Sequence, residues 1–506
     1  MSSTLKKIRD TRIDKLHALK KLGIDPYPAR SKKEFANARV VENFDKFEGR
    51  EVTLAGRLRS WREHGKLIFG HLQDESGLIQ LFIKADTLTH TSKEHQTIGF
   101  EDLNLLDVGD FIEVTGEVTK TSRGEVSLTP KSLKLLTKSL RPLPDKWEGL
   151  QDPELIFRKR YLDLVMKPER VEMFKRKAKF WQANREFMHK NGFLEVETPV
   201  LEHVTGGADA RPFVTHHHAL DEDFYLRIST ELYQKRLIGA GFEKVFTIGP
   251  NFRNEGIDDE HLQEYYQIEW YWAYADYKDN LKLVRDSFRH FAKEVYGKSE
   301  FESKGHKFDL DADWEEIDYE KIIKDTHGID VHKSSEEKMF QVLKKQDIKL
   351  EGAINRARLA DNLWKTIRKG IAGPAFLVRE PKFVSPLAKS FADDERVTER
   401  FHVIIAGTEL GNGYSELNDP IDQYERFLSQ QKGRNAGDEE SQMMDIDYVE
   451  MLEYGMPPTS GYAHSERAFW ILEGVSAREA TLFPQMKFKV DESVPEIYPD
   501  FIPPKK

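Results

Sequence analysis

Two aromatic-rich segments flank an arginine, an asparagine and a glutamate in FTIGPNFRNEGIDDEHLQEYYQIEWYWAYADY, residues 246–277. Strand alternation over YYQIEWYWAYA places Tyr265, Gln267, Glu269, Tyr271 and Ala273 on one face and Tyr266, Ile268, Trp270, Trp272 and Tyr274 on the other. Over VFTIGPNFR it sets Thr247, Gly249, Asn251 and Arg253 opposite Phe246, Ile248, Pro250 and Phe252. A hairpin joining the two strands aligns their polar faces into a lined pocket. The planar fork of Arg253 suits a carboxylate or phosphate, so the chemistry expected there is the gripping of an anion.

Elements that could position this pocket follow from changes in period along the chain. Residues 1–33 hold ten Lys or Arg against three Asp, with Leu5, Ile8, Leu16 and Leu19 at helical spacing, and "GIDPYP" ends the run. This basic arm suits either packing on its own protein or an RNA backbone. From 50 to 137 the segments EVTLAGRL, KLIFGHLQ, GLIQLFI, FIEVTGEV and GEVSLT read as five short strands, the count of an OB-fold barrel with a nucleic-acid-binding face. Arg57, Arg62, Phe69, Gln80 and Glu125 offer cation, stacking and hydrogen-bonding groups there, although Phe69 taken alone reads as core.

The expected organisation is an arm at 1–48, a barrel at 49–137, a linker at 138–160 and a second domain at 161–506, with a peripheral insertion around 297–400. The fold class is α+β, with strand signals that suit an antiparallel sheet flanked by helices and no alternating Rossmann pattern. A formal net charge of −10 argues against nonspecific coating of nucleic acid while leaving room for a local basic face. With no cysteine, disulfides, thiol nucleophiles and cysteine-bound zinc are excluded, and His216, His217 and His218 read as a loop or strand feature. No apolar run has signal-peptide or membrane-spanning character, so a soluble intracellular protein is expected. AKEVYGKS at 292–299 lacks the first glycine and the preceding strand of a phosphate-binding loop.

FRNEG at 252–256 resembles motif 2 of the class II aminoacyl-tRNA synthetases, and NGFLEVETPVL at 191–201 resembles motif 1, with Pro199 as its proline. The barrel resembles the anticodon-binding domain of subclass IIb. Within that subclass, TGGADARPFVTHHHALDEDFYLRISTELYQKRL, GNGYSELNDPIDQYERF and EYGMPPTSG are similar to the lysyl-tRNA synthetase family, as are DPYP and RPLPDK. The resemblance spans nearly the whole chain.

It implies an enzyme that forms lysyl-adenylate from L-lysine and ATP and passes the lysyl group to the terminal ribose of tRNA(Lys), without a protein nucleophile. It also implies Mg2+ on the phosphates, a homodimer built through motif 1, and a cytoplasmic location. By resemblance Arg253 bridges the lysine carboxylate and the α-phosphate, Glu255 contacts the adenine amino group, Tyr265 stacks under the base and His261 lies near the terminal phosphates. Glu231 takes the α-amino group, Glu269, Tyr271 and Glu416 surround the ε-ammonium, and Asn412 lies near the carboxylate. Arg467 binds the γ-phosphate, Glu409 and Glu416 are the metal ligands, and Arg62, Phe69, Gln80 and Glu125 meet the anticodon.

Three departures stand out. SGYAHSERAFWIL carries Ala463 and His464 where the family's motif 3 alternates glycine, His402 replaces an acid seven positions before Glu409, and Tyr265 stands at a position commonly phenylalanine. An aspartyl or asparaginyl relative would need a cation in the side-chain pocket, where Glu269 and Glu416 are expected. A noncatalytic RNA-binding relative is disfavoured by retention of Arg253, Glu255, Glu409 and Arg467.

Overall fold

The computed structural model describes residues 2–144, 150–256, 258, 260–348, 355–435 and 442–503. They form two compact units, Met1–Asp152 with Lys487–Lys506, and Pro153–Met486. The final segment therefore groups with the first unit, whereas the sequence reading left it in the second domain.

The first unit is a closed barrel of β1 (Glu51–His64), β2 (Leu67–Gln73), β3 (Leu78–Lys84), β4 (Phe111–Lys120) and β5 (Val126–Thr137), in the order β1-β2-β3-β5-β4. Closure removes free strand edges, and alternation decides what fills the barrel. Ile68 and Leu72 on β2 and Ile79, Leu81 and Ile83 on β3 are buried in the core, while Phe69 and Phe82 point outward. The helix Ser2–Lys21 packs inside this unit through fully buried Leu19. Arg12 donates to the carbonyls of Val108, Ser139 and Arg141, and Lys15 pairs with Asp107 at 2.9 Å. Part of the arm's positive charge thus holds the arm to its own unit.

The second unit is built on an eight-stranded sheet. Its strands, with the smaller ones nearby, are β6 (Leu194–Glu195), β7 (Leu201–Glu202), β8 (Val214–His217), β9 (Glu222–Leu226), β10 (Lys244–Phe252), β11 (Glu264–Ala273), β12 (Glu300–Ser303), β13 (His306–Asp309), β14 (Glu315–Asp318), β15 (Ala375–Val378), β16 (Arg400–Ile405), β17 (Thr408–Ser415) and β18 (Thr459–Ser465). The large sheet runs β14-β15-β16-β17-β18-β11-β10-β6, antiparallel except for the parallel pairs at its two edges. His216 and His217 close β8, where His216 lies 3.0 Å from Asp223.

One face of this sheet is sealed by the helices Pro168–Lys190 and Tyr277–Tyr296 around buried Phe180, Trp270, Phe288 and Phe291. Helix Tyr277–Tyr296 starts on Asp276, whose side chain accepts from two backbone amides, and ends at Gly297 with φ 68°. It contains most of AKEVYGKS, so that stretch is a helix end and no phosphate loop. The region 297–400 is less peripheral than expected, since β14 and β15 extend the main sheet. The helices Tyr319–His327, Glu336–Lys345 and Arg356–Arg368 pack behind them around a core of their own, including Ile323, Leu359 and Leu363.

Candidate active site

The other face of the sheet is polar. Antiparallel register aligns Thr247, Glu269, Ala463, Asn412 and His402 in one row across β10, β11, β18, β17 and β16. Val245, Tyr271, Gly461, Tyr414 and Arg400 form the next. Large polar side chains stand on β11, β17 and β16 in these rows and the small Ala463 and Gly461 occupy β18 among them, which hollows the face into a cavity. Gly461 is required there: a Cβ at that position would lie 2.4 Å from both Glu416 Oε1 and Tyr271 Cε1.

At one end of the cavity three carboxylates converge. Glu269 accepts from Thr230 Oγ1 at 2.9 Å, Gln267 Nε2 at 3.0 Å and Tyr271 Oη at 2.7 Å, with Ser229 Oγ at 3.2 Å. Glu231 opens the helix Glu231–Gly239 and accepts from Tyr414 Oη at 2.6 Å. Glu416 follows β17 and is 1% exposed. Between the last two lies Lys235, which pairs with Glu231 at 2.5 Å and also with Glu416. Apart from that ion pair, neither Glu416 oxygen has a hydrogen-bond partner among the described residues.

Burial raises the carboxyls of Glu269 and Glu416 above their ordinary range; Glu231 adds to both shifts, while Lys235 opposes that of Glu416. Burial alone would lower Lys235, but the charges of Glu231 and Glu416 outweigh it and keep the ammonium protonated. Glu269 is thus saturated by neighbours, and Glu416 keeps acceptor capacity for a further ammonium.

At the other end the cations gather. The Arg253 guanidinium lies 5.5 Å from the Tyr265 ring centre, so it covers the ring on which a base was expected to stack. The segment after Arg253 turns back through Arg253 N to the Gln263 carbonyl at 2.9 Å, and Glu255 lines the cavity. Exposed His261 is held by Asp258 at 2.8 Å. Arg467 donates to the Glu260 carbonyl at 3.1 Å and the Glu409 carbonyl at 3.4 Å, and burial lowers its pKa. The Nε atoms of Arg253, Arg368 and Arg467 are buried without a partner among the described residues. Donors left over in this way fit an anionic ligand of several oxygens.

In the first unit, Phe69 stacks on Phe82 with centroids 5.1 Å apart, opposite exposed Arg62. This corrects the core reading of Phe69: alternation turns it outward with His71. Gln80 donates to Glu125 at 2.6 Å, and Ser127 donates to Gln80 at 2.8 Å. The four residues share one side of the barrel, on β1, β2, β3 and the residue just before β5.

A family model described as class II tRNA synthetases (D, K and N) matches residues 152–487, and one described as an OB-fold nucleic acid binding domain matches 52–136. The lysine–tRNA ligase of Thermotoga maritima is 42% identical over 497 residues, covering 96% of this chain and 97% of its own. That of Pelotomaculum thermopropionicum is 43% identical over 490 residues, covering 96% and 95%. The chain belongs to the lysine–tRNA ligase family of class II tRNA synthetases.

For a lysine–tRNA ligase family member, Mg2+ beside ATP is the expected companion, with Glu409 and Glu416 as its ligands. The residues present do not fit that pair. Glu416 pairs with Lys235 at the carboxylate end of the cavity, away from the gathered arginines. Glu409 accepts from Trp364 Nε1 at 2.7 Å, pairs with Arg368 at 3.0 Å and faces His402 at 3.8 Å. Among the described residues no three His, Asp or Glu side chains converge as a metal site.

Sequence reasoning missed Lys235, Trp364, Arg368 and Glu380 around the site of this family member. Lys235 carried a local signal, an i,i+4 partner for Glu231 in ELYQK. The others carried none, because they reach the site only through the order of strands in the sheet.

Proposed function

We propose that this chain is a lysine–tRNA ligase that activates L-lysine with ATP, releases pyrophosphate and transfers the lysyl group to the 3′-terminal ribose of tRNA(Lys). The observation that carries this reading is the excess of carboxyl groups at one end of the cavity: Glu231, Glu269 and Glu416 converge around a single protein ammonium, Lys235, and leave acceptors for the two ammonium groups of lysine. The rival that handles aspartate or asparagine needs a free cation. Lys235 is fully buried and already shared by two carboxylates, so it does not supply one.

In this reading Glu231 receives the α-amino group. Glu416, with Tyr271 and the rigid Glu269, receives the ε-ammonium, and Asn412 lies near the carboxylate. Arg253 bridges that carboxylate and the α-phosphate, holding nucleophile and phosphorus in contact while charge develops on the phosphoryl oxygens. Glu255, His261, Tyr265 and Arg467 bind ATP, the last through its unpartnered Nε. Glu409 braces this end of the cavity. The second step needs no protein nucleophile, because the ribose hydroxyl attacks the carbonyl of the adenylate directly, the bond from that carbonyl carbon to the phosphate oxygen breaks and AMP leaves.

Arg62, Phe69, Gln80 and Glu125 receive anticodon bases on the barrel, Phe69 by stacking. Exposed Leu194, Val200 and Leu201 around motif 1 support a homodimer. A cytoplasmic location suits the tRNA substrate, and among the described residues no helix is long and apolar enough to cross a membrane. Amino-acid-dependent ATP–pyrophosphate exchange across all twenty amino acids tests the reading. Lysine alone should support strong exchange, and a preference for aspartate or asparagine would sink it.

A further inference from the structure

Glu409 occupies the place where a divalent ion would be fixed by protein, yet one oxygen of its carboxylate meets both a donor and a cation and the other faces a histidine ring. Trp364 and Arg368 lie four residues apart on the helix Arg356–Arg368 and so project from one face. Both reach Glu409 Oε1, the indole N–H at 2.7 Å and the guanidinium Nη1 at 3.0 Å. The second oxygen, Oε2, faces His402 Nδ1 at 3.8 Å.

A neighbouring acid, Glu380, is also paired with cationic or ring nitrogens. His402 Nε2 lies 2.8 Å from Glu380 Oε1, and Arg400 Nη1 lies 3.4 Å from Glu380 Oε2. A hard divalent ion needs several free oxygens at close range and is repelled by fixed cations. Here Glu409 and Glu380 each have an arginine in that position. The buried Arg368 Nε is left without a partner, as are those of Arg253 and Arg467.

We infer that Glu409 is no metal ligand in this chain: Arg368 neutralises it, with Trp364 donating to the same oxygen, in place of a protein-bound divalent ion, and any such ion enters only on the phosphates of the nucleotide. Arg368 is then a positioning residue. It holds Glu409 still, and through the Glu409 main chain it steadies Arg467, which donates to that carbonyl. The inference rests on the ATP-binding reading of this cavity for its functional meaning, but its central claim concerns the nucleotide-free chain.

The test is Mn2+ binding to the full chain, followed by electron paramagnetic resonance, with and without a non-hydrolysable ATP analogue. The wild type without nucleotide should bind no Mn2+ through Glu409. With the analogue it should bind one ion per nucleotide, and Glu409→Gln should leave both results unchanged. The doubly substituted chain Arg368→Met/His402→Glu, checked for folding by circular dichroism, should acquire a nucleotide-independent Mn2+ site at least tenfold tighter than any in the wild type.

Uptake of Mn2+ by the nucleotide-free wild type that Glu409→Gln abolishes would overturn the inference, and that comparison does not depend on how the double variant folds. A folded double variant that gains no site would overturn it too. Calorimetric titration of the wild type with the analogue separates the two readings: failure to bind removes the ATP reading, while the nucleotide-free Mn2+ result still decides the role of Glu409.

Discussion

Lys235 Nζ lies 2.5 Å from Glu231 Oε1 and also pairs with Glu416, so one buried ammonium ties the start of a helix to the end of β17. Removing one member of such a network leaves uncompensated charge in a dry site, at a cost of about 3–5 kcal/mol. Lys235→Met should lose stability on this scale in chemical denaturation and raise the KM for lysine more than the KM for ATP. A loss below about 1 kcal/mol, the value of an exposed pair, would show that the network does not hold the pocket.

Arg253→Lys should fold normally and lose most adenylate formation, because an ammonium cannot bridge two anions with a planar fork. The expected loss is about 2–4 kcal/mol of transition-state stabilisation, read from lysine-dependent pyrophosphate exchange. Exchange near the wild-type rate in a folded variant would remove Arg253 from the reacting centre.

Gly461→Ala places a methyl group against Glu416 and Tyr271, both backed by the sheet. Lysine activation should collapse while ATP-analogue binding, measured by calorimetry, stays within a few-fold. Equal damage to both would mean that Gly461 serves the whole cavity and no particular end of it.

Phe69→Ala should raise the tRNA KM for aminoacylation and leave pyrophosphate exchange nearly unchanged. Stacking on an aromatic platform contributes about 1–3 kcal/mol per base. Parallel losses in the two assays would contradict an anticodon role for the barrel.

Glu202, 3% exposed, has its carboxyl pushed up to about 8 by burial, with Asp445 and Glu269 adding to the shift and Arg227 and Arg236 opposing it. The folded state thus holds a proton that the unfolded chain releases near its ordinary value of 4.5. Its contribution to stability is full below that value and is lost as pH rises toward 8, the loss reaching about 3 kcal/mol by pH 7. Glu202→Gln should therefore match the wild type near pH 5 and exceed it at pH 8. A thermal denaturation series in which the two chains stay parallel across this window would refute the assignment.

Much of the site was legible because it lies in single strands. The alternation that put Gln267, Glu269 and Tyr271 on one face is a property of neighbouring residues, and β11 keeps it. The five barrel strands were readable for the same reason. Phe69 was misjudged because an aromatic side chain carries no mark of which way its strand faces; the buried partners Ile68 and Gly70 decide that. That part of 297–400 joins the main sheet was not legible, because β14 and β15 have four residues each and show their place only when paired.

What the sequence determined by itself was the local order: the strand periods, the helix ends at Asp276 and Gly297, and the motifs whose spacing matches a lysine–tRNA ligase family. The tertiary structure alone decided which charges meet. Lys235 reaches Glu416, and Arg368 reaches Glu409, only after β17 is laid between β16 and β18 and the helix Arg356–Arg368 packs behind the sheet edge. Periodicity is set by covalent neighbours, whereas ion pairing depends on distance and desolvation in the folded state, and strand order controls both.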